Sequence, residues 1–364
     1  MSEKETNDNE INEVTPSETD TVIEAASEKV AAFLEDLAPT QRKRLPVEKQ
    51  LAVLGVLAIG IFGVGGFTYI KNSLDKSREI ADTASLASQE ASVAPVGGEL
   101  VDPFVGLSLG AQSVLVFDVR QQEIIYERSA DTKWPLASIT KLMTALVAHE
   151  IVDDQLVVPI TKEALEQSGE SGLLEGQRFS LGRLMDLILL TSSNDGAYAL
   201  AAAAGAALDS SSPAEAFVKA MNVRAKELGL SNTYFRNPTG LDITEDEAGA
   251  YGTARDVAKL MEYIYTHHPY LLEETTNRNS AINDLSGVAR EARNTNPVID
   301  AIPGALGSKT GYTTLSGGNL AVVFNAGADR PVIVVVLGSS HQGRFSDVLK
   351  LVEATREELS IEQE

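Results

Sequence analysis

Residues 319–337 read NLAVVFNAGADRPVIVVVL. Both ends are dominated by valine, isoleucine, leucine and phenylalanine, side chains that suit a pleated, buried surface. The middle, 326–330, holds the small and polar residues of a connection. Two strands, 319–325 and 331–337, are therefore expected. A matching pair lies far upstream, where 113–119 (SVLVFDV) and 123–126 (EIIY) read as strands around a turn at 120–122. Helical patterns fill the interval: 138–151, 180–205 as one or two helices rich in leucine and alanine, and 253–267. A further amphipathic helix follows at 345–359. Strands at both ends with helices between them predict an α+β domain, an antiparallel β-sheet flanked by helices, over residues 104–360.

The chain before residue 104 reads differently. Residues 1–40 carry eleven Asp/Glu against two Lys and few aromatics, a composition unable to bury a core of its own. With the residues up to 50 they form an acidic, largely disordered tail. Residues 51–70 contain no charged side chain. At about 1.5 Å per residue a helix of that length spans about 30 Å, one hydrocarbon core. Some fifty residues precede it, too many for a cleaved signal peptide, so a single transmembrane signal anchor is expected. Lys/Arg number four before the span and three after it, a slight bias towards an N-terminus inside. Residues 71–103, rich in Ala, Ser, Gln and Glu and ending in Pro and Gly, read as a spacer.

Composition removes several classes of function. The net charge of −22 repels phosphate backbones, so nucleic acid is not an expected partner. The absence of cysteine excludes disulfides, thiolate metal sites and cysteine nucleophiles. The four histidines, His149, His267, His268 and His341, show no HExxH arrangement, and none lies beside a G-x-S-x-G elbow.

Three short motifs suggest chemistry of another kind. Ser138-Ile139-Thr140-Lys141 sets a serine at a helix start and a lysine one turn later on the same face. A serine hydroxyl becomes a nucleophile when a base takes its proton, and a lysine is that base only when neutral. Burial and a second cation both favour the neutral form. Alone, the pattern is ordinarily an N-cap and a solvated lysine. Ser73-Leu74-Asp75-Lys76 repeats it in the spacer. Ser192-Ser193-Asn194 follows an apolar helical run and offers a second hydroxyl to relay a proton, and an amide to hold a peptide group. Lys309-Thr310-Gly311, leading into Tyr312, offers a positive field, a hydroxyl for a carboxylate, and a glycine against which a substrate backbone can lie.

The three occur in this order, Ser192 standing 54 residues after Ser138 and Lys309 standing 115 after Asn194. Together they resemble the serine D-alanyl-D-alanine carboxypeptidases, the low-molecular-mass penicillin-binding proteins of the DD-peptidase/β-lactamase superfamily. Further stretches are similar to that family: 135–145, 190–201 (LTSSNDGAYALA), 237–241 (NPTGL), 253–256 and 294–297. The likeness spans roughly 104–358. Many relatives continue into a C-terminal β-rich domain and amphipathic helix; this chain ends 55 residues after Lys309, so both are expected to be absent. Some relatives carry an arginine where Thr295 stands, and here Arg293 lies two residues earlier.

The resemblance implies a sheet flanked by helices with a mostly helical lobe, and the site where the two meet. It implies Ser138 as nucleophile, Lys141 as its base and Ser192 as proton relay. Asn194, Lys309, Thr310, Gly311 and Tyr312 would bind substrate, with the N–H groups of Ser138 and Tyr312 as oxyanion hole. The implied substrate is a peptidoglycan stem peptide ending in D-Ala-D-Ala, with β-lactams as acylating inhibitors and no metal or cofactor. Such a substrate places the domain outside the cell membrane and residues 1–50 in the cytoplasm. Lys141 is expected to lose its proton first, and Lys309, on a strand edge facing the cleft, to stay charged. Alternatives are a DD-endopeptidase, a β-lactamase, or a non-catalytic wall-binding scaffold. For a β-lactamase, Glu273 and Asn277 have a suggestive spacing but lie too far along the chain.

Overall fold

A computed structural model of the protein describes residues 102–169 and 171–361. The expected tail (1–50), transmembrane anchor (51–70) and nearly all of the spacer (71–103) lie outside the described residues. Among the described residues no helix is long and apolar enough to cross a membrane.

Five strands make the central sheet: β1 (Ser113–Asp118), β2 (Glu123–Arg128), β3 (Ala305–Thr313), β4 (Gly317–Asn325) and β5 (Pro331–Ser339). Their order is β3-β4-β5-β1-β2 with every neighbour antiparallel. The early and late strands pair as expected, Ser113 opposite Leu337 and Val116 opposite Val334. The longer helices are α1 (Thr140–Ile151), α2 (Leu181–Thr191), α3 (Asn194–Gly205), α4 (Pro213–Glu227), α5 (Ala254–His267) and α6 (Gly343–Ile361).

The period-2 alternation of β5 sorts two cores. Ile333, Val335 and Leu337 pack on one face with Leu115, Val323 and the α5 residues Leu260, Met261 and Ile264. Val332, Val334 and Val336 pack on the other with Val114, Val116 and the α6 residues Phe345, Val348 and Leu351. The first core runs on into a helical lobe, where Leu142, Met143 and Leu146 of α1 meet Leu184 and Ile188 of α2, Leu200 of α3 and Phe217 of α4.

The region 180–205 is two helices, because Ser192 adopts a left-handed φ of 62° and ends α2. Ser193 then caps α3, its Oγ accepting from the Gly196 N–H at 3.0 Å. The stretch from 138 opens as a 3-10 turn, Ala137–Ile139, before α1. Helix α4 was not foreseen. It buries only Phe217, Met221 and Ala225, an i, i+4, i+8 stripe too narrow to stand out among its charged residues. The hairpin of Asn279–Asn283 with Ala289–Arg293 was also missed; neither strand carries a hydrophobic run.

Candidate active site

The nucleophile turn is held from three sides. Asn319 of β4 donates its Nδ2 to the carbonyls of Pro135 (2.9 Å) and Leu136 (3.0 Å). Gly311 of β3 lies so close that a β-carbon there would stand 2.8 Å from the Leu136 carbonyl and 3.2 Å from Ser138 N. The glycine therefore serves the approach of β3 to the nucleophile's own backbone, rather than only the approach of a substrate. Gly240, at φ +79°, abuts the third side, where a β-carbon would meet the Ala137 carbonyl at 1.9 Å. Ala137 itself has φ 49°, a conformation costly outside glycine and sustained by these contacts.

Lys141, completely buried at 0% exposure, makes three contacts. Its Nζ lies 2.9 Å from Ser138 Oγ, 2.7 Å from Asn194 Oδ1 and 2.7 Å from the Thr239 carbonyl. Burial first, and then the charge of Lys309, push its pKa well below the ordinary lysine range. A neutral amine has two N–H groups and one lone pair. Asn194 Oδ1 and the Thr239 carbonyl can only accept, so they take both N–H groups and leave the lone pair to the Ser138 hydroxyl. The site thus fixes the direction of proton transfer.

Asn194 differs from its expected part. Its Oδ1 holds Lys141 and its Nδ2 donates to the Ser168 carbonyl at 2.7 Å, so both ends of the amide are engaged within the protein. The Thr239 carbonyl was not singled out in the sequence. It belongs to NPTGL, where Asn237 Oδ1 accepts from the N–H groups of Thr239 (3.2 Å) and Gly240 (2.7 Å), winding the loop into shape. The Asn-Pro-Thr-Gly run signals a turn; that the turn aims a carbonyl at a lysine 98 residues earlier is a tertiary fact.

Lys309 donates from Nζ to Ser192 Oγ at 2.9 Å, joining the second and third motifs. Its strand, β3, is the edge of the sheet, but the side chain is not open to water there. It is 1% exposed, and burial, followed by the nearby Arg344, pushes it down to about 7. It therefore stays a cation only near and below neutrality, because β3 lies against the nucleophile turn and excludes water from it. Lys141 is still the more depressed of the two, and Lys309's charge is among the causes.

Thr310 Oγ1 lies 2.6 Å from Thr295 Oγ1, and the Thr295 N–H donates to the Leu190 carbonyl at 3.1 Å. Thr295 thus ties β3 to the end of α2. Tyr312 is half-exposed at the mouth of the site, its ring edge-on to His341 at 4.6 Å.

Arg344, at the start of α6, was missed altogether. It is 5% exposed, donates from Nη1 to the Gly311 carbonyl at 2.6 Å, and its Nε is buried without a partner. Burial lowers its pKa to about 10, which leaves it a cation at neutral pH. No local motif marks it; it reaches the site only because α6 folds back over the sheet.

Comparison with known proteins agrees with this geometry. The S11 peptidase family model, described as D-alanyl-D-alanine carboxypeptidase, matches residues 102–341. The Bacillus subtilis D-alanyl-D-alanine carboxypeptidase DacF is 30% identical over 67% of this chain; the match spans 61% of DacF, less than two thirds of its length. An Escherichia coli D-alanyl-D-alanine endopeptidase is 30% identical over 67% of this chain and 76% of its own. The ampicillin-bound crystal structure of penicillin-binding protein D2 from Listeria monocytogenes aligns with a TM-score of 0.59. That alignment is at 30% identity and covers 68% of this chain and 98% of the other. With the serine, both lysines and the sheet that carries them in place, the chain belongs to the D-alanyl-D-alanine carboxypeptidase family of serine peptidases.

Proposed function

We propose that the protein is a serine-type D-Ala-D-Ala carboxypeptidase that trims peptidoglycan stem peptides through an acyl-enzyme on Ser138. The observation that carries this is the trio around Lys141 Nζ: two acceptors that cannot donate, and the Ser138 hydroxyl.

Neutral Lys141 takes the Ser138 proton as Oγ attacks the carbonyl of the penultimate D-Ala. The developing oxyanion is met by the N–H groups of Ser138 and Tyr312, each worth about 3–4 kcal/mol in such a role. The C–N bond then breaks. The departing amine takes, relayed through Ser192, the proton that Lys141 received from Ser138, and the terminal D-Ala leaves while Lys309 stays a cation against the Ser192 hydroxyl. Water, deprotonated by the now neutral Lys141, hydrolyses the ester, and the proton returns to Ser138 Oγ. The carboxylate of the terminal D-Ala would lie at the Thr310 hydroxyl and the Arg344 guanidinium. A buried cation with an unused N–H supports that placement.

Fluorescent penicillin should label the protein at Ser138, and a D-Ala-D-Ala peptide should release D-Ala. An adduct at another serine, or no adduct, overturns the reading. Ampicillin bound to the Listeria relative supports β-lactams as inhibitors.

The substrate's place in the wall sets topology. Residues 51–70 would anchor the chain, with 1–50 cytoplasmic, 71–103 as spacer and the catalytic domain outside. A reporter fused after Glu364 should be active outside the membrane, whereas a catalytic domain resistant to protease in intact spheroplasts would refute this.

A further inference from the structure

Two walls flank the nucleophile turn, and neither is part of the nucleophile's own helix. The loop 237–241 (NPTGL) brings the Thr239 carbonyl to Lys141 and Gly240 to the Ala137 carbonyl. Strand β3 brings Gly311 against Ser138 N and, one residue on, the N–H of Tyr312. The acylation step uses both walls at once, the first to orient the base and the second to meet the oxyanion. A misplacement of about 1 Å costs roughly 100-fold in rate, so the spacing of the walls matters as much as the make-up of either.

One side chain spans them. Asp242 follows NPTGL directly, and Thr313, which follows Tyr312, lies 71 residues further along the chain. Thr313 Oγ1 donates to Asp242 Oδ1 at 2.9 Å, and the Leu315 N–H donates to Asp242 Oδ2 at 3.3 Å. A carboxylate can only accept, so the hydroxyl proton of Thr313 goes to it. The strand end is tied in turn. The Thr313 N–H donates to Ser316 Oγ at 2.8 Å, and the Ser316 N–H donates back to Thr313 Oγ1 at 3.2 Å. The Ser316 carbonyl accepts from Trp134 Nε1 at 2.7 Å, and Trp134 leads into the nucleophile turn. The loop end is wound as tightly, with Asn237 Nδ2 donating to the Leu241 carbonyl at 2.9 Å and the Leu241 N–H to Thr239 Oγ1 at 3.1 Å. A shift at the Asp242–Thr313 bond therefore passes to the Thr239 carbonyl on one side and to the Tyr312 N–H on the other.

We propose that Asp242 is a positioning residue for acylation: clasped to Thr313, it holds the acceptor that orients Lys141 and the oxyanion donor of Tyr312 at a fixed spacing around Ser138. Asp242 touches neither the substrate nor Ser138 and acts through the two walls. This inference rests on the Ser138 acyl-enzyme of the carboxypeptidase reading.

The test follows acylation of the full chain by a fluorescent penicillin over a range of concentrations, which separates the limiting rate constant from the half-saturating concentration. Thr313→Val keeps the shape of the side chain and removes the hydroxyl, whereas Thr313→Ser keeps the hydroxyl and removes a methyl group. The limiting rate constant should fall about tenfold in Thr313→Val and at least as far in Asp242→Ala, the equivalent of one hydrogen bond to a charged group. Thr313→Ser should stay within a few-fold of the parent. The half-saturating concentration should hold in all of them, because the bond orders reacting groups and does not touch the penicillin. Asp242→Ala combined with Thr313→Val should lose no more than Asp242→Ala alone, since both break one bond. Partial unfolding lowers the amount of label without changing the rate constant of the folded molecules, so it does not mimic this pattern. Thr313→Val at the parent's rate, Thr313→Ser as slow as Thr313→Val, losses that multiply in the double variant, or a change confined to the half-saturating concentration overturns the clasp and leaves the carboxypeptidase reading intact. No adduct in the parent overturns both.

Discussion

Lys309 and Lys141 divide one task between two protonation states, and the pH dependence of acylation should show it. The rate rises as Lys141 loses its proton, well below the ordinary lysine range. It falls as Lys309 loses its own, with a midpoint near 7 in the free protein. Lys309→Arg keeps the cation at every accessible pH and should extend activity to the alkaline side. Lys141→Arg should abolish acylation, because a guanidinium gives up no proton in this range. Second-order acylation rates with a fluorescent penicillin from pH 5 to 10 decide both points. An alkaline limb unmoved in Lys309→Arg would remove Lys309 from the account, and full acylation by Lys141→Arg would remove Lys141 as base. Gly240 carries a prediction of the same grain. A methyl group there meets the Ala137 carbonyl, so Gly240→Ala must push NPTGL away and take the Thr239 carbonyl from Lys141. A displacement of about 1 Å costs roughly 100-fold in rate. An acylation rate within a few-fold of the parent would show that the carbonyl is dispensable.

Helix ends deliver these residues, and capping offers a test that separates folding from function. Ser193 Oγ caps α3, whose first residue is Asn194. Thr253 Oγ1 caps α5 in the same manner, accepting from Asp256 N at 3.1 Å, but α5 brings no residue to the site. Replacing either by Ala should cost about 1 kcal/mol in urea denaturation. Acylation should fall only in Ser193→Ala, because only there does the freed helix end carry a group bonded to Lys141; equal losses in both variants would argue that stability alone is being read. The same elements show what could be read along the chain. Strands 319–325 and 331–337 and the three motifs were legible because each rests on local pattern: β-branched runs, and a hydroxyl one turn from a lysine. Helix α4 was not, because three buried residues in fifteen make a faint stripe. Thr239, Thr295 and Arg344 were not, because their roles exist only once distant segments meet. The burial of Lys309 was misjudged for the same reason: β3 is the edge of the sheet, yet its Gly311 draws it against the nucleophile turn.

The molecule as a whole bears the cost of keeping two lysines dry, and its stability should record this as a function of pH. Both cores lie within the residues that match the expected domain, so a fragment starting at residue 102 should fold and serve for the measurement. An unfolded lysine titrates near 10.4. In the folded protein Lys309 titrates near 7 and Lys141 well below its ordinary range. Between the folded and unfolded values the unfolded chain binds more protons, so stability rises with pH across that window. For Lys309 the window opens near pH 7, and one fully buried lysine adds up to about 1.4 kcal/mol per pH unit within it. The acidic surface pulls the other way as remaining cations are lost, so the parent curve alone is ambiguous. The difference from Lys309→Met removes that surface background, leaving Lys309 together with its effect on Lys141. At pH 7 the variant should be favoured relative to the parent, and the parent should gain on it steadily up to pH 9.5 in urea midpoints. The gain should flatten below pH 6, where Lys309 is protonated in both the folded and the unfolded states. A constant difference across the range would mean that Lys309 keeps its proton throughout, and the alkaline limb of acylation would then need another group.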